Sequence, residues 1–181
     1  MILTTGREYD PRMMLAPYLT LSGQVVTIPD GVAGTETTIA TMRQMVNRSK
    51  TDPQIRQAAT TVAFLQPEKD YRAEAEAVFN EVRDGIRYIR DVHGVETLQE
   101  PHITMGLKLG DCDDQAVLLA SMLESIGVPT RFVVAGYSGP YYEHVYLQAW
   151  LGDEWVDMDA TEPHPMGWAP PDPTVMAFEE I

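Results

Sequence analysis

Cys112 is the single cysteine of the chain, and it stands in Gly110-Asp111-Cys112-Asp113-Asp114-Gln115, directly ahead of an apolar run. Apolar residues at 116, 119, 120, 123 and 126 follow a period close to 3.6, and Gly127 with Pro129 ends the run. The spacing predicts a helix with Cys112 at its N-terminus. Backbone N–H groups and the positive end of the helix dipole meet there, which lowers a thiol pKa and suits the site to receive a developing oxyanion. Downstream, residues 142–150 read as a strand with His144 at its start, and residues 154–161 read as a second strand reaching Asp159. Gly152-Asp153 between them is a hairpin signal. Paired antiparallel, the two strands set an imidazole beside a carboxylate, with the imidazole facing a thiol. Cysteine hydrolases and acyl transferases use this arrangement of nucleophile, base and orienting acid. His102 and His164 are rival bases in loops. Asp157 rivals Asp159, because residues two apart share a strand face.

The acidic run at 111–114 also raises a metal. Calcium takes six to eight oxygens from a shaped loop, whereas here the helix starts at once, and zinc needs more Cys and His than this chain groups together. No metal and no cofactor are expected. The three aspartates do not belong in an apolar core, and Asp113 and Asp114 are read as first-turn acids answering the helix dipole.

Four segments in order resemble the transglutaminase-like superfamily: GDC at a helix start, Gly127-Val128-Pro129-Thr130-Arg131, the His144 strand HVYLQAW, and Trp155 to Asp159-Ala160-Thr161. They cover roughly residues 72 to 162. The resemblance implies an α+β papain-like core, with N-terminal helices and a Cys-bearing helix packed on an antiparallel sheet. It also implies a Cys112, His144, Asp159 triad and a thioester route to protease, amidase or transglutaminase-type activity. The Asp-Ala-Thr match selects Asp159 over Asp157. By analogy with the glutamine of papain-like enzymes, Gln99 could donate to the oxyanion, and the alternative is a turn residue bonded to backbone. The wider string is similar to small proteins encoded near bacteriophage structural genes. That points to phage structural proteins as partners beside a protein or peptide substrate, and to a rival reading as a non-catalytic assembly or virion protein.

Three helices must precede the site. Thr35–Ser49 presents Ile39, Met42, Met45 and Val46, with Thr35 or Thr37 as its cap. Asp52-Pro53 starts a second helix carrying Ile55, Ala58, Ala59, Val62 and Leu65. Residues 71–90 read as a third, with Ala75, Val78, Phe79, Val82, Ile86 and Ile89 on one stripe and His93 at its end. Residues 94–110 read as a loop, and 130–137 as a buried strand. Residues 1–34 form an N-terminal extension with one candidate edge strand at 24–28. Residues 35–162 make the domain. Residues 163–181 make a Pro-rich tail, read as a surface wrap or a disordered segment.

With 44% hydrophobic residues the chain can bury a core. A net charge of −14 and a sequence pI near 4.5 disfavour nucleic acid and anionic membrane surfaces as partners. One cysteine excludes an internal disulfide and fits a reducing compartment. No signal peptide and no membrane span are visible, so the expected location is cytoplasmic or virion-associated.

Overall fold

The computed structural model describes residues 2–5, 25–28, 31–91 and 95–181, and for 2–5, 25–28 and 95–96 the backbone alone. In chain order the elements are β1 (Ile2–Thr5), β2 (Val25–Ile28), α1 (Val32–Ser49), α2 (Pro53–Ala63) and α3 (Tyr71–Gly85). They continue with β3 (Arg87–Tyr88), β4 (Val95–Thr97), α4 (Pro101–Leu107), β5 (Leu109–Gly110) and α5 (Cys112–Ser125). Last come β6 (Thr130–Gly136), β7 (His144–Trp150), β8 (Trp155–Met158) and β9 (Val175–Glu180). The rest of the N-terminal extension, and His93, lie outside the described residues.

Helix α5 is the centre of the molecule. It lies between the antiparallel sheet β8-β7-β6-β9 and the helices α1 to α4. The single apolar stripe expected from 116, 119, 120, 123 and 126 understates this. Val117, Leu118 and Met122 are buried as well, because neighbours cover the helix on all sides. Its serines are accommodated by bonding backward, Ser121 Oγ to the Val117 carbonyl at 2.7 Å and Ser125 Oγ to the Met122 carbonyl at 2.7 Å. The wider core joins Met42, Met45, Ile55, Phe79, Leu98, Phe132 and Leu147.

Caps set several boundaries. Asp52 accepts from Gln54 N at 2.7 Å at the start of α2, and Asp70 accepts from Ala73 N at 3.0 Å at the start of α3. Thr35 and Thr37 do not cap α1, which begins at Val32 after Gly31.

Three readings change. First, α3 stops at Gly85 instead of running to Arg90. The N–H groups of Arg87 and Ile89 bond the carbonyls of Lys108 and Gly110 at 2.9 and 3.0 Å, forming the parallel β3–β5 pair. Ile86 remains buried while Ile89 is exposed. Second, the expected loop at 94–110 holds β4, α4 and β5. Third, the Pro-rich tail ends in β9, which pairs antiparallel with β6 along its length. The candidate strand at 24–28 is β2, at the edge of a small sheet ordered β2-β1-β4. Among the described residues no helix is long and apolar enough to cross a membrane.

Gly136 closes β6 where the chain must turn back toward β7. A Cβ there would lie 1.8 Å from the Tyr141 carbonyl oxygen, which is backbone and cannot swing away. The Gly136 carbonyl also accepts from Thr174 N at 2.8 Å, so one residue holds both the 137–143 turn and the approach to β9. Gly136→Ala is therefore expected to lower stability by about 1–3 kcal/mol, the usual cost of overpacking. Urea midpoints of the two proteins measure it, and equal midpoints would show that the turn yields freely.

Candidate active site

The start of α5 is built by reciprocal bonding. Asp111 Oδ1 accepts from Asp114 N at 3.1 Å, and Asp114 Oδ2 accepts from Asp111 N at 3.4 Å, a capping box formed by two aspartates. Asp114 does more than answer the dipole. Its Oδ1 accepts from Gln99 N at 2.7 Å and its Oδ2 from Gln99 Nε2 at 2.6 Å, so it ties the helix start to the segment ahead of α4. Asp111, Asp113 and Asp114 are all buried, contrary to the expectation for three acids flanking one thiol. Gly110 makes this possible, since a Cβ on it would lie 2.8 Å from Asp114 Cβ.

Burial pushes the Asp114 carboxyl up to about 6, helped by the charge of Asp91 and opposed by the N–H groups of Gln99 and Asp111.

Cys112 is the first residue of α5 and half-buried, with Sγ 3.9 Å from Asp113 Oδ1. It lines a cleft of about 540 Å³ together with His144, the first residue of β7. His144 Nε2 lies 2.7 Å from Asp159 Oδ2. The carboxylate is held in turn by Thr161, whose N and Oγ1 donate to Oδ1 at 3.0 and 2.6 Å. Burial alone would raise Asp159. The bond and charge of His144, with the two bonds from Thr161, outweigh it and hold the carboxyl below the usual range. The His144 ring is engaged by Asp159 through Nε2, which sets Nδ1 as the nitrogen available to other partners.

The structure thus brings Cys112 and His144 to one cleft and pairs His144 with Asp159. The rivals stand elsewhere. Asp157 accepts from Gln148 Nε2 at 2.7 Å. Strand β8 ends at Met158, so the alternation that would put 157 and 159 on one face stops before Asp159. His102 is exposed on α4, and His164 stacks on Trp168 at 3.9 Å between ring centroids. Gln99 is not among the cleft residues. Its Nε2 donates to Asp114 and to the Leu109 carbonyl, so it secures the helix start and presents no donor to the cleft.

The early end of α3 adds residues that a helix through Arg90 would have turned elsewhere. Tyr88, Arg90 and Asp91 form part of the cleft wall. Burial raises the Tyr88 hydroxyl pKa, and the nearby charges of Cys112 and Asp111 add to it. No sequence signal marked Tyr88, because 86–90 continued an apolar helical stripe. The first turns of α1 complete the cleft.

The sequence profile of the Transglutaminase-like superfamily matches residues 57–160, more than half of the chain. No curated protein matches the chain. Among solved structures, a candidate protease from Parabacteroides distasonis is similar with a TM-score of 0.57 and 11% identity, over 72% of this chain and 26% of that one. A candidate cysteine protease from Cytophaga hutchinsonii aligns with a TM-score of 0.51 and 16% identity, over 77% of this chain and 55% of that one. Calcium-bound LapG of Legionella pneumophila gives 0.53 and 17% identity, over 78% and 87%. The chain therefore spans about a quarter and about half of the first two proteins. At these identities the likeness is one of fold, a helix layer on an antiparallel sheet.

A carboxyl raised to about 6 favours the folded state most when protonated. Its contribution is full below the unfolded value near 3.9 and is lost as pH rises through about 6. The stability of the parent relative to Asp114→Asn should therefore fall by roughly 2–3 kcal/mol between about pH 4 and pH 7. Urea unfolding of both proteins across that range measures it, and a pH-independent difference would contradict the assignment.

Proposed function

The chain belongs to the transglutaminase-like superfamily, and from its cleft we propose a cysteine-dependent acyl-transfer enzyme acting on a protein or peptide. Cys112 is the nucleophile, His144 the proton-transfer group and Asp159 the orienting carboxylate. The observation that carries this reading is the His144–Asp159 pair at 2.7 Å, with a fully buried carboxylate, in a ring that shares its cleft with the sole thiol.

In the proposed reaction the Cys112 thiolate adds to an amide or ester carbonyl. The charge on the carbonyl oxygen develops at the N-terminus of α5, where backbone N–H groups and the helix dipole favour it. The imidazolium of His144 gives its proton to the leaving nitrogen or oxygen as the C–N or C–O bond breaks, leaving a thioester on Cys112. Water then attacks the thioester while His144 takes its proton, which releases a carboxylate and restores the thiol. An amine in place of water would give a new amide. Asp159 keeps Nε2 protonated, so that Nδ1 faces the reacting atoms. Gln99 has no part in this scheme beyond fixing the helix that carries Cys112.

Cys112→Ala is expected to abolish turnover, since no other residue forms the thioester. Asp159→Asn should lower kcat by a factor on the order of 10⁴, the cost of a wrong tautomer in comparable triads. Alkylation of the parent by iodoacetamide should follow a thiol pKa below the free value of about 8.5. Assays on amide, ester and glutamine-donor substrates, with circular dichroism as the folding control, test the reading. Equal activity of the parent and Cys112→Ala would overturn it.

A further inference from the structure

A second cleft of about 340 Å³ opens beside the first. Val32, Thr35, Ile39, Val134 and Tyr142 line both, so the two are ends of one groove between α1 and the sheet. Cys112 and His144 stand at the near end. At the far end are Arg43 on α1 and Ala177 and Glu179 on β9. From Val32 to Arg43 the helix rises about 17 Å at ~1.5 Å per residue. An extended chain covers that span in roughly five residues at ~3.3 Å each. A small substrate would occupy the near end alone.

The far end has an unmet bonding demand. Arg43 Nη2 donates to Glu179 Oε2 at 3.1 Å, while its Nε–H is buried and has no acceptor among the described residues. A buried donor left unpaired carries a free-energy cost that an incoming acceptor removes. Glu36 and Glu179 line the same end and repel a second carboxylate. The fitting acceptor is therefore neutral, and a main-chain carbonyl is the neutral acceptor that a polypeptide offers at every residue. Ile39 and Val134 between the two ends, with Ala177 at the far end, give the groove an apolar lining suited to ordinary side chains.

We propose that this groove binds an extended substrate segment of about five residues, running from Cys112 to Arg43, with a main-chain carbonyl accepting from the Arg43 guanidinium. The inference builds on Cys112 as the reacting residue. It makes the substrate a protein segment in extended conformation and excludes a free amino-acid amide.

The test uses two blocked peptide libraries without acidic residues, hexapeptides and dipeptides of equal composition. Each is scored for protection of Cys112 against iodoacetamide and, by mass spectrometry, for cleavage. Hexapeptides should slow alkylation at concentrations where dipeptides have no effect. Ala40 is exposed and lines only the second cleft, so Ala40→Trp should block the groove without disturbing the core. That variant should lose the hexapeptide protection while its alkylation rate without peptide stays at the parent value. Arg43→Met should weaken protection by roughly two- to tenfold, the worth of a single hydrogen bond. Glu179→Gln, which keeps the guanidinium, should weaken it less. Equal protection by both libraries, or full protection in Ala40→Trp, would overturn the groove. Equal losses in Arg43→Met and Glu179→Gln would overturn the carbonyl contact, leaving Arg43 as a brace for β9. Protection without any cleavage would count against the acyl-transfer reading and leave the groove standing.

Discussion

A helix that begins in the interior must satisfy its first N–H groups without help from water. Most of what surrounds Cys112 follows from that constraint. Asp111 and Asp114 bond each other's backbone, and Asp114 then collects both the main chain and the side chain of Gln99. The bonding demands carboxylates in a place that penalises charge, and the raised Asp114 carboxyl records the penalty. In return the helix start is held from two directions, by its own cap and by the segment ahead of α4. The thiol inherits a fixed position on a rigid element, as the role proposed for it would require.

The cleft is assembled from distant pieces of chain. The turn after α3, the N-terminus of α5, the start of β7 and the first turns of α1 all contribute walls. Only the hairpin that pairs His144 with Asp159 is local. The two halves of the site therefore have different structural origins. The imidazole–carboxylate pair is a property of the sheet, and the thiol is a property of the helix layer. Their alignment depends on the packing of α5 against β7 within the shared core.

That division explains what the sequence could reveal. Periodicity and turn residues located α2, α5, β6 and the 144–158 hairpin, because each carries its own local signal in the form of a cap, a closing glycine or an apolar run. The places that misled are those where tertiary contacts override local preference. Ile86 to Arg90 continues a helical stripe, yet its N–H groups find better partners on the Lys108 and Gly110 carbonyls. In α4 a seven-residue helix is too short to show a period. The apolar residues of β9 fall on both faces, with Val175 and Ala177 toward the core and Met176 and Phe178 outward, so no alternation marks it as a strand. The burial of Asp114 had no local signature, since its partner Gln99 arrives from outside the helix.

The position of β9 in the chain has a consequence for how the protein is made. On the ribosome, Cys112, His144 and Asp159 all emerge before residue 175. A nascent chain can then hold its three chemical groups while β6 still has one bare edge and the far wall of the groove is missing. Unpaired strand edges of this kind are where partly made sheets recruit neighbouring chains. The proline-dense stretch from Pro163 to Pro173 lengthens that interval, and its prolines cannot donate to a ladder of their own. Closure of the sheet by β9 thus follows the synthesis of all three groups. Under the proposed function, the thiol would then be made before the groove beside it is complete.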